Sequence, residues 1–149
     1  MNLKEFYTPD VIYCTADITT LHAARIMRER HVGDLVVIDD SDEGQAPMGI
    51  VTDRDIVVEV LAKELDPAQV TVREIMRLPL VIARASEEVE HALERMRVHG
   101  VRRVPVLDEA SNLVGVLSLD DLVRRLAAEA TALADIIAHE QDRERRTRR

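Results

Sequence analysis

The sequence has few aromatic residues and a single cysteine. Aromatic residues make up 2% of the 149-residue chain and tryptophan is absent, so few side chains are available to stack on nucleic-acid bases. Cys14 has no second cysteine with which to form an internal disulfide. This scarcity argues against a secreted, disulfide-stabilised fold and predicts a protein of the reducing cytoplasm.

Long apolar runs are also missing. No run reaches the roughly 18 apolar residues that a membrane span needs, although hydrophobic residues make up 46% of the chain and can form an ample core. The segment Met1-Asn2-Leu3-Lys4-Glu5 is charged where a signal peptide turns apolar. These features predict no membrane partner. The net charge of −8 argues against nucleic acid as a partner, since a phosphate backbone is bound largely by Lys and Arg.

A basic segment at the C-terminus runs against this acidic average. It consists of Arg143, Arg145, Arg146, Arg148 and Arg149. One interpretation is a solvated helix end or a disordered tail, and the other is a contact with an anion or RNA. The sequence leaves both open.

The chain contains an internal repeat. Gly49-Ile50-Val51-Thr52-Asp53-Arg54-Asp55 returns as Gly115-Val116-Leu117-Ser118-Leu119-Asp120-Asp121. Upstream, matching residues such as His22 and His91 lie 69 positions apart, and after the polar loop at 41–47 the offset falls to 66. A repeat of this length with one insertion in a polar loop indicates two copies of one folded unit.

Hydrophobic periodicity predicts the order β-α-β-β-α in each copy. In the first copy it predicts strands at 11–14, 35–38 and 48–51, a helix capped by Asp17 or Thr19, and a second helix from Thr52. In the second copy it predicts strands at 81–83, 104–107 and 113–117, a helix at 86–99, and another from Ser118. The predicted fold class is α/β (or α+β), with two sheets covered by helices.

The repeat also predicts how the chain is divided. The expected segments are a first repeat at 1–65, a linker at 66–74, a second repeat at 75–133, and a C-terminal helix extension with a basic tail at 134–149. Each half is near the lower limit for an independent core. The two units are therefore expected to pack on each other about a pseudo-twofold axis.

Two such units, each ending in glycine, two aliphatic residues, Thr or Ser, two variable positions and Asp, resemble a tandem pair of CBS domains, the Bateman module. The phrase Arg103-Val104-Pro105-Val106-Leu107-Asp108 is also typical of that family. The resemblance covers nearly the whole chain. It implies two clefts between the units, in which many relatives bind AMP, ADP, ATP or S-adenosylmethionine, and a disk-shaped homodimer.

The repeated motif also has a chemical interpretation. Its glycine would let a ligand approach the backbone closely, and the Thr52 or Ser118 hydroxyl would face a phosphate bound at the start of the next helix. Asp55 or Asp121 lies one turn further along and can accept hydrogen bonds from both hydroxyls of a ribose. The alternative is that Thr52 and Ser118 are plain N-caps and the aspartates only favour the helix start.

The two copies differ in ways that place the ligand in the second repeat's cleft. There Ser118 and Asp121 are expected to contact the phosphate and the ribose. Resemblance to nucleotide-binding relatives puts Arg102 and Arg103 against the phosphates.

The first repeat has Gly33 and Asp34 at the equivalent positions, and Asp34 would repel a phosphate unless Arg54 compensates. Its Thr52 and Asp55 are therefore expected to matter less. The resemblance also suggests further contacts to the nucleotide. They are Val104 and Pro105 of the second repeat, and the adenine walls Ile12, Tyr13, Cys14, Val81, Ile82 and Ala83.

No catalytic set is visible in the sequence, which predicts that the chain is not an enzyme. It has no nucleophile elbow and no glycine-rich phosphate loop. Its five histidines show no metal-ligand spacing, so neither a metal nor a required cofactor is predicted. The sequence predicts a regulatory or sensing module that binds an adenosine nucleotide and acts on an unknown effector protein. The alternative is a CBS-fold structural or stress-response partner without a ligand.

Overall fold

The computed structural model of the protein describes residues 1–41 and 46–148. One sheet contains β1 (Tyr13–Thr15), β2 (Asp34–Ile38) and β3 (Pro47–Thr52), and the other contains β4 (Ala83–Arg84), β5 (Arg103–Leu107) and β6 (Leu113–Ser118). The helices are α1 (Thr20–Arg30), α2 (Asp53–Ile56), α3 (Val72–Ile75), α4 (Val89–His99) and α5 (Leu119–Thr147). A 3₁₀ turn spans Leu3–Glu5, and α2 continues as a π-helical turn at Val57–Leu61. Part of the predicted loop at 41–47, and Arg149 of the basic tail, lie outside the described residues.

The two sheets have the same topology. In each, the first strand pairs in parallel with the second, and the second pairs antiparallel with the third. Val37 lies opposite Gly49, and Val106 lies opposite Gly115, with a register shift directly after each of these pairs. The predicted β-α-β-β-α order is therefore confirmed in both halves.

Helices α1 and α4, which occupy the same place in the two repeats, both end at a residue in the left-handed conformation. Thr19 caps α1 by accepting a hydrogen bond from the His22 amide at 3.1 Å. His31 ends α1 in the left-handed conformation, with φ of 56°, and Gly100 ends α4 in the same way, with φ of 63°. Both helices bury an alanine and a methionine against their sheet; they are Ala23 and Met27 in α1, and Ala92 and Met96 in α4.

The two hydrophobic cores are completed by exchanged segments. Residues 2–8 precede the first repeat's strands, yet Leu3 and Phe6 are buried in the core of the second sheet. Residues 71–77 precede the second repeat's strands, yet Val72 is buried in the core of the first sheet. The Thr8 amide donates to the Val116 carbonyl at 2.9 Å, and the equivalent Arg77 amide donates to the Ile50 carbonyl at 3.0 Å. Each core thus depends on a segment from the other half.

The motif glycines lie under these exchanged segments. A Cβ atom at Gly115 would lie 2.2 Å from Tyr7 Cδ2 and 2.7 Å from the Thr8 carbonyl oxygen. At Gly49 the nearest atom is Met76 Sδ, at 3.1 Å. The sequence predicted that a ligand would approach the backbone at these glycines. The structure shows that a crossing segment of the same chain does so instead.

Helix α5 extends well beyond its sheet. It spans 29 residues, and every residue from Val123 to Arg148 is exposed. Large apolar side chains are among them: Val123, Leu126, Leu133, Ile136 and Ile137 are each more than 40% exposed. Within the described residues, no helix combines the length and apolar character that crossing a membrane requires.

Candidate functional site

One cleft between the two units is lined by arginines, and we call it the arginine-lined cleft. It encloses about 390 Å³, and its apolar walls include Ile50, Leu80, Val81 and Val101. Its arginines are Arg54, Arg77, Arg102 and Arg103, and Asp53 is the acidic residue among its lining residues. The cleft therefore combines an apolar surface with four arginines and one aspartate among its lining residues.

A second cleft, which we call the acidic cleft, is related to the first by the repeat. It encloses about 250 Å³, and its apolar walls include Val11, Ile12, Val32 and Val116. Its charged residues are Asp10, Asp34, Asp120, Asp121, Arg103 and Arg124, and Ser118 also lines it. Negative charge dominates this cleft.

Each cleft combines the motif of one repeat with the turn of the other. The arginine-lined cleft joins Thr52 and Arg54 to Arg102, whereas the acidic cleft joins Ser118 and Asp121 to the turn at 33–34. This grouping differs from the predicted one, which placed Arg102 with Ser118 and Asp121. The difference arises because the pseudo-twofold axis brings the turn before the second strand of one unit against the motif of the other unit.

Arg103 lies between the clefts and belongs to both. Its Nε is 3.2 Å from Asp34 Oδ1, and its Nη2 is 3.4 Å from Asp120 Oδ2. Arg102 Nη2 reaches the other oxygen of the Asp120 carboxylate at 2.6 Å. The Asp34 carboxylate, which is expected from the sequence to repel a phosphate, is therefore paired with Arg103.

The Asp34 carboxylate is costly to keep charged in this position. Burial raises its pKa, the Arg103 guanidinium lowers it, and the carboxylates of Asp53 and Asp121 raise it further. The net direction is upward. Among these influences, the Arg103 guanidinium is the one that favours the charged form of Asp34.

In the first repeat, the motif residues Thr52 and Asp55 cap helix α2. The Asp55 amide donates to Thr52 Oγ1 at 3.1 Å, and Asp55 Oδ2 accepts from the Thr52 amide at 2.9 Å, which forms a capping box. Arg77 Nε donates to Asp55 Oδ1 at 3.0 Å, and Asp55 is only 5% exposed. Asp55 lines a third hollow behind the arginine-lined cleft. At this motif the structure favours the N-cap alternative.

We predict that Asp55→Ala lowers the free energy of unfolding by about 1–3 kcal/mol, because it removes the capping box and the partner of Arg77. Asp121→Ala, at the same motif position of the other repeat, is the matched control. The Asp121 side chain is 43% exposed, so its removal should cost less than about 1 kcal/mol. Urea denaturation of both variants measures the difference. Equal losses would contradict the assigned capping role.

The second repeat's motif is arranged differently. Ser118 is 6% exposed and makes no side-chain capping bond to α5. Asp121 Oδ2 accepts from Thr8 Oγ1 at 3.4 Å, and Asp121 Oδ1 is 3.6 Å from Arg124 Nη1. These longer contacts leave the Asp121 carboxylate open to the acidic cleft.

The structure distributes the predicted wall residues between the clefts and the sheets. Val81 lines the arginine-lined cleft, and Ile12 lines the acidic cleft. Ala83 and Val104 are buried in the second core, Cys14 is buried in the first, and Pro105 is buried within β5. Ile82 accepts a bond from Arg95 Nε at 3.2 Å through its carbonyl oxygen, and Tyr13 is 46% exposed at the start of β1. Burial also raises the pKa of the Cys14 thiol to about 11, which keeps it protonated and unreactive.

The sequence missed several residues that line the clefts. Arg77 and Leu80 complete the arginine-lined cleft, and Thr8 and Asp10 complete the acidic one. All four lie in or just after the exchanged segments. One sequence feature could have pointed to these residues. Leu3-Lys4-Glu5-Phe6 matches Val72-Arg73-Glu74-Ile75, so the segments that precede the strands belong to the repeat.

The structure is thus a pair of repeated units with two clefts at their interface. Across residues 1–41 and 46–148, no three or more His, Cys, Asp or Glu side chains are grouped to hold a metal. The sequence profile of the CBS domain matches residues 3–62 and again 72–128. The chain therefore belongs to the CBS domain family, as a tandem pair, and the resemblance noted in the sequence is confirmed.

Two relatives illustrate the extent of the match. Hypoxic response protein 1 of Mycobacterium tuberculosis is 38% identical over 120 residues, which are 80% of this chain and 81% of that protein. An uncharacterised protein of Methanopyrus kandleri is 33% identical over 124 residues, which are 83% of this chain. The match spans only 62% of the Methanopyrus protein's length.

Two solved structures of similar fold contain ligands. The CBS domain protein PAE2072 from Pyrobaculum aerophilum, complexed with AMP, has a TM-score of 0.72 and 27% identity, and the match covers 82% of this chain and 90% of that chain. The CBS domain pair of protein MJ0100, in complex with 5′-methylthioadenosine and S-adenosyl-L-methionine, has a TM-score of 0.74 and 26% identity. That match covers 87% of this chain and 98% of the other.

Proposed function

We propose that this protein is a regulatory module that binds an adenosine nucleotide, with its phosphate in the arginine-lined cleft. The observation that carries the proposal is the convergence of Arg54, Arg102 and Arg103 on one apolar-walled cleft of about 390 Å³. That volume is within the range of small-ligand sites. The related CBS proteins that bind AMP or S-adenosylmethionine support an adenosine-type ligand.

The cleft offers each part of a nucleotide a chemically matched surface. Ile50, Leu80 and Val81 form an apolar wall for the adenine ring. Arg54 and Arg102 line the same cleft, and their guanidinium groups would donate charge-assisted hydrogen bonds to a phosphate. A nucleotide with more phosphate charge should gain more from these arginines.

The position of the cleft suggests how binding is transmitted. The ligand would lie between the two units and contact both the motif of the first and the turn of the second. Binding would fix the relative placement of the units, and so change the surface presented to an effector protein, which stays unidentified. We propose no catalytic activity, and the cytoplasmic location inferred from the lone cysteine stays a prediction. The alternative of a structural partner without a ligand has no specific observation in its favour.

We predict that Arg54→Ala weakens AMP binding by about 10- to 100-fold, because it removes a charge-assisted contact to the phosphate. ATP should lose more affinity than AMP, since it carries more of the charge that the arginine neutralises. Isothermal titration of the parent protein and the variant with both nucleotides measures these losses.

The matched control is Arg97→Ala, which removes an exposed arginine paired with Glu94 on helix α4. This variant should bind AMP as the parent protein does. If Arg54→Ala retains the parent's affinity for AMP, the phosphate does not lie in the arginine-lined cleft. A parent protein that binds neither AMP nor ATP would refute the proposed function.

A further inference from the structure

The two repeats carry opposite charges at the same two positions. Asp34 in the first repeat corresponds to Arg103 in the second, and Arg54 in the first corresponds to Asp120 in the second. Each cleft takes its turn from one repeat and its motif from the other. The two charge differences therefore place the two arginines in one cleft and the two aspartates in the other. Arg54 and Arg103 lie in one cleft, whereas Asp34 and Asp120 lie in the other.

Ser118 gives the acidic cleft a polar group that is available to a ligand. Ser118 is only 6% exposed and lines the cleft. Within residues 1–41 and 46–148, its hydroxyl makes no hydrogen bond. Its counterpart Thr52 is occupied by the capping box with Asp55. Asp121, three residues further on, presents its carboxylate to the same cleft. Together these groups can recognise a ribose, whose hydroxyls donate to a carboxylate.

The same cleft repels a phosphate. Its lining residues include four aspartates and two arginines, which are Asp10, Asp34, Asp120, Asp121, Arg103 and Arg124. Arg124 pairs with Asp121 at 3.6 Å, and Arg103, which pairs with Asp34 and Asp120, is shared with the other cleft. Like charges repel one another at the dielectric of a protein surface, so these carboxylates disfavour a bound phosphate. A nucleoside with a positively charged group in place of the phosphate meets attraction there.

We propose that the two clefts bind ligands of opposite charge and that Arg103 links their occupancy. This inference rests on the proposed function, because it requires a phosphate-bearing ligand in the arginine-lined cleft. A phosphate there draws the Arg103 guanidinium away from Asp34 and Asp120. The acidic cleft then gains negative charge and binds a cationic nucleoside more tightly. By linkage the cationic nucleoside must strengthen phosphate binding by the same factor.

The test is isothermal titration of the full chain with S-adenosylmethionine in the absence and presence of saturating AMP. S-adenosylmethionine carries a sulfonium, an ammonium and a carboxylate group, and its net charge is positive. We expect AMP to tighten S-adenosylmethionine binding by about fivefold or more. Uncharged 5′-methylthioadenosine should show a smaller increment. In Arg103→Ala the increment for S-adenosylmethionine should vanish, with AMP kept saturating.

The outcomes separate this inference from the proposed function. If AMP binds but displaces S-adenosylmethionine, leaves its affinity unchanged, or tightens both nucleosides equally, the inference is overturned and the proposed function stands. The same holds if AMP binds and S-adenosylmethionine does not. If S-adenosylmethionine binds and AMP does not, the proposed phosphate site is refuted, and the linkage with it.

Discussion

Gly115→Ala is expected to lower the free energy of unfolding by about 3 kcal/mol or more. The added Cβ would lie 2.2 Å from Tyr7 Cδ2 and 2.7 Å from the Thr8 carbonyl oxygen, and a backbone atom cannot rotate away. The segment at 2–8 must therefore lift from the second sheet. That movement exposes Leu3 and Phe6, and each buried side chain of this size contributes about 1.5–3 kcal/mol. Urea denaturation monitored by circular dichroism measures the loss.

The first repeat offers a matched control for this substitution. At Gly49 a Cβ would meet Met76 Sδ at 3.1 Å and Met76 Cγ at 3.3 Å. A methionine side chain can adopt another rotamer, so Gly49→Ala should cost about 1 kcal/mol or less. Equal losses at the two glycines would contradict this account of the crossing segments, and so would a neutral Gly115→Ala.

The sequence predicted the elements well because their signals are local. The run Leu35-Val36-Val37-Ile38 has the continuous apolar pattern of a strand covered on both faces, and all four residues are buried in β2. Thr19 and Gly100 mark helix ends through their own capping chemistry. The second copy of the repeat shows the same pattern and therefore supports each local prediction independently.

The sequence did not predict which residues share a cleft, because that depends on contacts between the halves. The turn holding Arg102 lies near the second repeat's strands in sequence, yet it faces the first repeat's motif across the pseudo-twofold axis. The exchange of residues 2–8 and 71–77 is likewise invisible to local periodicity. Their apolar pattern shows that they are buried but does not show in which core.

The two copies of the motif make different contacts, although they are equivalent in sequence. Thr52 with Asp55 and Ser118 with Asp121 have the same spacing and the same helical position. Arg77 comes from an exchanged segment and forms an ion pair with the buried carboxylate of Asp55, whereas its equivalent near Asp121 is Thr8. Arginine in one exchanged segment and threonine in the other thus give the two aspartates different partners, although their motifs are equivalent in sequence.

Helix α5 carries an exposed row of apolar residues. Val123, Leu126, Ala130, Leu133 and Ile137 recur at alternating intervals of three and four residues, which is the seam of a coiled coil. All five are exposed in the single chain. In proteins, the packing of an apolar helix face supplies most of a helix's stability. We therefore propose that the seam packs against the same helix of a second copy, as the predicted homodimer requires.

Replacing both Leu133 and Ile137 with Asp is expected to convert that dimer to a single chain. Burying uncompensated carboxylates in the seam costs about 3–5 kcal/mol, which weakens association at least about a hundredfold. Light scattering at micromolar concentration should then report half the parent's mass. The control pair, Ala128→Asp with Thr131→Asp, adds the same charge away from the seam, on the side where Asp135 lies, and should remain dimeric. A parent protein with the mass of one chain, or a Leu133/Ile137 variant that stays dimeric, would show that α5 does not hold two copies together.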